Sequence, residues 1–238
     1  MGLPSQPLND KGEIEVPVVC ATRDFQGAVA ETIVTMWNVL WQMKRSPVYC
    51  QFQSHGYAFV RAGVFKDLYK TYNKDMIRGF MIDDDILLKA SQQQHLAIAI
   101  ETADRFGWNF VSPYRTRDGY CAIAKKNGDL MTVEEVRNLK PFDRVPNAGL
   151  GFYYGDLPLT YRFHEDGMFG GEDLNFFYEN PELEIRCVDL GLKHLKVCDL
   201  DMETPIHYHK RPLVVKPPVL ETREELGLNN GDQPRIRE

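Results

Sequence analysis

Apolar runs and helical repeats alternate along the first half of this chain. Runs rich in β-branched, aromatic and other apolar residues at 14–21, 48–52 and 80–82 predict short buried strands. Between them, residues 26–44 and 57–72 carry apolar side chains at close to helical spacing, which predicts two helices. The order strand, helix, strand, helix, strand favours a parallel sheet whose strands are joined by crossover helices.

The second half of the chain has shorter and less regular elements. From residue 115 onward the pattern changes, and an Asn127-Gly128 pair predicts a hairpin turn within 119–129. Thr132 followed by glutamates predicts the start of a short helix. The other predicted elements are a helix at 92–106, a strand at 108–114, a strand at 148–154, a helix at 172–178 and closing strand segments at 185–189 and 192–197. We therefore predict an α/β fold with a mostly parallel central sheet flanked by helices and a small antiparallel subregion.

The two ends of the chain differ from its centre in composition. Residues 1–14 are polar and contain two prolines, which predicts a flexible arm. Residues 211–238 contain prolines and a charged end, which predicts an extended tail. We assign the residues between them, 15–210, to a single domain.

Composition and charge narrow the classes of function. The 238 residues carry a formal net charge of −6, which argues against general binding to the phosphate backbone of nucleic acids. No apolar run approaches the roughly 20 residues that cross a bilayer, and the N-terminus lacks the pattern of a signal peptide. Five cysteines without a close CxxC pair are typical of reduced thiols. These features predict a cytoplasmic protein with no membrane span and no nucleic-acid partner.

The most distinctive stretch is 79–88, where an apolar run stops on Asp83, Asp84 and Asp85 and then resumes. Such a strand end lies at the carboxyl edge of an open α/β sheet, where ligands bind. Adjacent carboxylates repel one another, and a hard divalent cation such as Mn²⁺ or Mg²⁺ relieves the repulsion. If the chain bends there, Asp83 and Asp85 can approach one ion while Asp84 is left for a ribose or a sugar. The alternative is an acidic surface turn.

Four parts of the chain, taken in order, resemble the GT-A glycosyltransferases. The parts are a first strand ending in Ala21-Thr22-Arg23, a DxD motif at Asp83-Asp84-Asp85, a glycine-bearing strand at Gly149-Leu150-Gly151-Phe152 and a helix start at Gly171-Glu172-Asp173. The resemblance extends from about Val16 to His194. It implies a Rossmann-like GT-A domain with a nucleotide-binding half at 15–114 and an acceptor-binding half at 115–210.

On the donor side, the resemblance assigns Ala21, Thr22 and Arg23 to the nucleoside, and the DxD aspartates to the donor and its metal ion. Arg61 lies in the second predicted helix, where relatives often place an arginine that faces the nucleotide. The usual Ala-Arg-Asn pattern is Val-Arg-Ala here, so a solvated helix arginine is the alternative.

On the acceptor side, Gly149 and Gly151 match a strand that passes close to both substrates, where a side chain would obstruct binding; a sheet bulge is the alternative. Asp173 matches the catalytic base that takes the proton of the acceptor hydroxyl, and Glu172 matches a residue that binds or orients the acceptor. Two acids at a helix N-terminus can also simply complement the helix dipole.

Histidines supply candidates for a further metal ligand. The resemblance points to His194, which follows a strand near the end of the domain. His207 and His209 form a competing pair, because alternate residues of an extended segment point the same way.

The function that these residues predict is a metal-dependent glycosyltransferase of the hexosyltransferase type. It would move a sugar from a nucleotide-sugar donor to a carbohydrate or other hydroxyl acceptor, with inversion if Asp173 is the base. The alternatives are a metal-dependent phosphohydrolase or nucleotidyltransferase that uses the Asp83–Asp85 cluster, or a non-catalytic sugar-binding relative.

Overall fold

A seven-stranded sheet lies at the centre of the protein. The structure is a computed structural model, and it describes residues 6–22, 27–53, 57–116, 118–164 and 172–195. The strands are β1 (Ile14–Thr22), β2 (Arg45–Gln53), β3 (Met76–Asp83), β4 (Ile86–Leu87), β5 (Asn109–Val111), β6 (Ile123–Ala124), β7 (Asp143–Val145), β8 (Asn147–Ala148), β9 (Phe152–Pro158), β10 (Ile185–Cys187) and β11 (Lys193–His194). The helices are α1 (Gly27–Gln42), α2 (Tyr57–Tyr72), α3 (Gln93–Phe106), α4 (Val133–Arg137) and α5 (Glu172–Glu179).

The sheet is mixed, with most of its strands running in one direction. Its order is β2-β1-β3-β9-β5-β10-β7. Strand β1 pairs in parallel with β2 and β3, and β10 pairs in parallel with β5. Strand β9 is antiparallel to both β3 and β5, and β7 is antiparallel to β10. The predicted α/β fold with a mostly parallel sheet is therefore confirmed, as is the opening β-α-β-α-β order.

Helices cover both faces of the sheet. Side chains alternate between the two faces of a strand, so Val18 and Cys20 pack with α1 and α3, whereas Val19 packs with α2 and α5. In β3, Phe80 and Ile82 face the helices α1 and α3, and Met81 faces the helices α2 and α5. Burial on both faces explains why these strands have continuous apolar runs instead of alternating polar positions.

Several predicted elements of the second half differ in extent. The strand predicted at 148–154 is divided, because Asn147–Ala148 pairs with β6 and only the chain from Phe152 onward joins the central sheet. The strand predicted at 108–114 is limited to Asn109–Val111. The segment predicted at 192–197 contributes Lys193–His194, which pairs with β4 and not with the central sheet.

The described residues include part of the predicted N-terminal arm and none of the predicted tail. Residues 6–13 of the predicted arm form a turn that folds back on β1, with a bridge between Leu8 and Ile14. The predicted tail at 211–238 lies outside the described residues. Within the described part of the chain, no helix is both long and apolar enough to cross a membrane.

An ion network ties the elements together at the amino end of the parallel strands. The guanidinium of Arg78, near the start of β3, is 1% exposed and contacts Asp104 at 2.7 Å and Asp156 at 2.9 Å. The hydroxyl of Tyr154 donates to Asp104 at 2.9 Å. These contacts join β3, β9 and α3 at the end of the sheet away from Asp83, so they serve the fold and not the candidate site.

Candidate active site

The three aspartates lie in a tight turn between two buried strands. Strand β3 ends on Asp83 and β4 begins at Ile86, so Asp84 and Asp85 form the turn, and their side chains are buried. The hydroxyl of Thr32 in α1 donates to the Ile86 carbonyl at 2.7 Å and accepts from the Leu88 amide at 3.0 Å. This double hydrogen bond holds β4 against α1. Because Asp84 and Asp85 are only 2% and 5% exposed, the triplet is not an exposed acidic surface turn.

Arg61 joins the aspartate triplet to the predicted base. It lies in α2 with 1% of its surface exposed, and its Nη2 contacts the Asp83 carboxylate at 2.7 Å. Its Nη1 donates to Asp173 Oδ1. The second oxygen of Asp173 accepts from the Leu150 amide at 3.1 Å. One buried guanidinium thus bridges two carboxylates from distant parts of the chain, and the interpretation of Arg61 as a solvated helix arginine is wrong.

His194 meets Asp85 because their strands pair. The antiparallel contact of β11 with β4 sets His194 opposite Ile86, and the Leu195 amide donates to the Asp85 carbonyl at 2.9 Å. As a result His194 Nε2 lies 3.1 Å from Asp85 Oδ2. The other ring nitrogen of His194, Nδ1, is buried and finds no hydrogen-bond partner within the described residues.

Asp85 and His194 contact each other directly and are the two described candidates for metal ligands that lie together. The 3.1 Å between His194 Nε2 and Asp85 Oδ2 is the length of a hydrogen bond, and neighbouring ligands of an octahedral divalent cation lie about as far apart, roughly 3 Å. Asp83 points instead to Arg61, and no group of three or more His, Cys, Asp or Glu side chains among the described residues could hold a metal ion. A metal site that includes Asp83, Asp85 and His194 therefore stays a prediction.

Gly149 and Gly151 make room for a tyrosine that sequence reasoning missed. A Cβ at Gly151 would lie 2.5 Å from Tyr114 Cζ, and one at Gly149 would lie 2.6 Å from the Tyr114 hydroxyl. Contacts this short would force atoms to shift, so the position of Tyr114 depends on both glycines. The sequence signal was the pair of glycines itself, and nothing in that pair points to Tyr114.

Tyr114 lies between His194 on one side and Asp173 on the other. Its ring centre is 5.6 Å from that of His194. Its hydroxyl and Asp173 Oδ2 both lie within 3.5 Å of the position that a Cβ at Gly149 would occupy. Burial, and then the negative charges of Asp83 and Asp173, raise the pKa of Tyr114 well above 10. The phenol therefore keeps its proton near neutral pH.

Other predicted site residues are only partly described. Ala21 pairs with Asp83 across the parallel strands, so the backbone of Ala21 and Thr22 lies beside the triplet, but their side chains are outside the described set. The same holds for Glu172, which begins α5. Arg23, His207 and His209 lie entirely outside the described residues. Their predicted roles stay predictions.

Comparisons with known proteins give no family for this chain. No family model matches it, and no curated protein matches it. The solved structure of A197 from STIV, a viral protein, is similar at 12% sequence identity with a TM-score of 0.48, over 74% of this chain and 83% of that one. A likeness at this level carries no conclusion about what this chain binds or does.

Proposed function

We propose that this protein is a metal-dependent glycosyltransferase with a GT-A type of fold. The observation that carries the proposal is the contact of one buried arginine, Arg61, with both the DxD aspartate Asp83 and the candidate base Asp173. Beside this bridge lies the pair of Asp85 and His194. Transfer of a sugar from a nucleotide sugar to a hydroxyl uses a carboxylate base close to the metal ligands, and these contacts support that arrangement.

The donor would bind at the carboxyl edge of β1 and β3. The backbone of Ala21 and Thr22, next to Asp83, lies where the nucleoside is expected. Asp85 and His194 would hold Mn²⁺ or Mg²⁺ beside the diphosphate. When bound, such an ion neutralises the negative charge that develops on the leaving diphosphate.

The acceptor would bind on the side of Asp173. As the acceptor oxygen attacks the anomeric carbon, the bond from that carbon to the diphosphate oxygen breaks, and the nucleoside diphosphate leaves with the bonding electrons. The proton of the acceptor hydroxyl passes to the Asp173 carboxylate. Arg61 and the Leu150 amide fix the orientation of that carboxylate. Attack opposite the leaving group inverts the configuration of the sugar.

The decisive experiment is release of nucleoside diphosphate from a panel of nucleotide sugars in the presence of Mn²⁺. We expect turnover of one donor, with loss of activity on chelation and in Asp85→Asn. Asp75→Asn is the matched control, because Asp75 is an exposed carboxylate beside the opposite end of β3. Cleavage of simple phosphate esters without sugar transfer would instead favour a phosphohydrolase. Binding of a nucleotide sugar without any turnover would favour a non-catalytic relative.

A further inference from the structure

We propose that Tyr114 binds the acceptor and that the acceptor presents two neighbouring hydroxyl groups, one to Asp173 and one to Tyr114. This inference rests on the proposed transferase function. It extends that function by naming a binding residue and a class of acceptor, namely a sugar that presents two neighbouring hydroxyl groups.

The position of Tyr114 is the first argument. Its ring packs against His194, which belongs to the donor and metal side, and its hydroxyl lies next to Gly149 on the side of Asp173. In the proposed reaction, the bond to be formed lies between these two sides. A residue that contacts both of them is therefore placed where donor and acceptor meet, and Tyr114 is partly exposed there.

The glycines supply the second argument. At Gly151 a Cβ would collide with the ring itself, and at Gly149 it would collide with the hydroxyl and approach Ala122 Cβ to 3.2 Å. The backbone of Tyr114 is also fixed, since its carbonyl accepts from the Ala122 amide at 3.0 Å. The protein thus keeps positions 149 and 151 free of side chains beside one phenol, and a hydrogen bond holds the backbone of that tyrosine.

The chemistry of the two groups supplies the third argument. A carboxylate only accepts hydrogen bonds, whereas a phenol both donates and accepts. Asp173 can accept from the hydroxyl that attacks, and Tyr114 can donate to a hydroxyl one carbon away. An acceptor with both hydroxyls would be held in one orientation, which favours reaction at one of its two oxygens. An acceptor lacking the second hydroxyl would leave the Tyr114 donor unused.

The test compares Tyr114→Phe with the wild type, using the nucleotide sugar that the wild type turns over and a panel of methyl hexosides with their monodeoxy analogues. Phenylalanine keeps the ring and its packing. We expect the acceptor KM to rise about 2- to 10-fold, the effect of one neutral hydrogen bond, while the donor KM changes less than 2-fold. The preference for hexosides over the matching monodeoxy analogue should fall by the same factor. Tyr120→Phe, at an exposed tyrosine, is the matched control.

A double-mutant cycle separates acceptor binding from general damage to the fold. Gly149→Ala should raise the acceptor KM by displacing the phenol oxygen, and it should add little in the Tyr114→Phe background, where that oxygen is absent. Additive effects, or an unchanged acceptor KM in Tyr114→Phe, would overturn the inference and leave the transferase proposal standing. Donor hydrolysis by the wild type without transfer to any hexoside would also overturn the inference about Tyr114 while leaving the transferase proposal standing. Absence of any donor turnover by the wild type would refute both.

Discussion

Removal of the Arg61 charge should destabilise the whole protein and not only the site. The guanidinium is 1% exposed and is held between Asp83 and Asp173, whose side chains are 15% and 25% exposed. In Arg61→Met the two carboxylates would face each other without their shared cation. The methionine would fill much of the space, so the main loss is electrostatic and not a cavity.

The magnitude follows from the burial of the partners. Removing one member of a fully buried ion pair costs about 3 to 5 kcal/mol. Here the carboxylates keep some contact with water, which screens their repulsion, so we expect a loss of about 2 to 4 kcal/mol in the free energy of unfolding. The free energy of unfolding of Arg61→Lys should lie between those of wild type and Arg61→Met. The reason is that an ammonium keeps the charge but cannot contact the two carboxylates with separate nitrogens as a guanidinium does.

The measurement is urea unfolding followed by circular dichroism, with Lys70→Met as the control. Lys70 is an exposed cation of the same helix, and its replacement should change the free energy by less than about 0.5 kcal/mol. In a double-mutant cycle, Asp173→Asn should cost less in the Arg61→Met background than in the wild type. If Arg61→Met were as stable as Lys70→Met, the contacts of Arg61 with Asp83 and Asp173 would not stabilise the fold, and the prediction would be wrong.

Two further predictions concern the base and a helix cap. Asp173→Asn should lower kcat for transfer by about 10²- to 10⁴-fold, the usual contribution of a general base, with nucleotide binding retained in calorimetry; a loss under 10-fold would contradict the assignment. A hydrogen bond from Lys125, together with the Thr132 amide, lowers the pKa of the Glu135 carboxyl from 4.5 to about 2. Because the folded state favours the charged form, this contribution is present above pH 4.5 and is lost as the pH falls towards 2. Glu135→Gln should therefore melt at a lower temperature than wild type at pH 7, and the two melting temperatures should converge over that range; a gap independent of pH would refute this.

The parts of the fold that could be predicted from sequence are those that local patterns determine. Residues 57–72 form a helix as their apolar spacing predicts, and the apolar run before Asp83 forms a buried strand. The placement of β9 between β3 and β5 could not be predicted, because strand order within a sheet depends on tertiary packing and leaves no mark in a single strand.

The same limit applies to the candidate site. Asp83 stands out in the sequence because it directly follows an apolar run that predicts a strand. Asp173 stands out because it lies at a predicted helix start just after two glycines. In the sequence, Arg61 is 22 positions from Asp83 and 112 positions from Asp173. No local sequence pattern indicates that these three residues meet. Tyr114 could not be predicted as a site residue, because the sequence shows only the two glycines, Gly149 and Gly151. Their small size can be explained only once the structure shows the Tyr114 ring beside them.

The charges of the site bear on how the donor enters it. When ionised, Asp83, Asp84, Asp85 and Asp173 carry four negative charges, and Arg61 supplies one positive charge, a balance of −3. Two unit charges 4 Å apart near a protein surface repel by about 4 kcal/mol, so a free diphosphate would be disfavoured there. A divalent cation at Asp85 and His194 would change the balance to −1. We therefore expect chelation to weaken nucleotide binding itself, by 10-fold or more in calorimetry, and not only turnover. Equal affinity with and without Mn²⁺ would mean that the diphosphate does not approach the aspartates, and the donor site would then have to lie elsewhere.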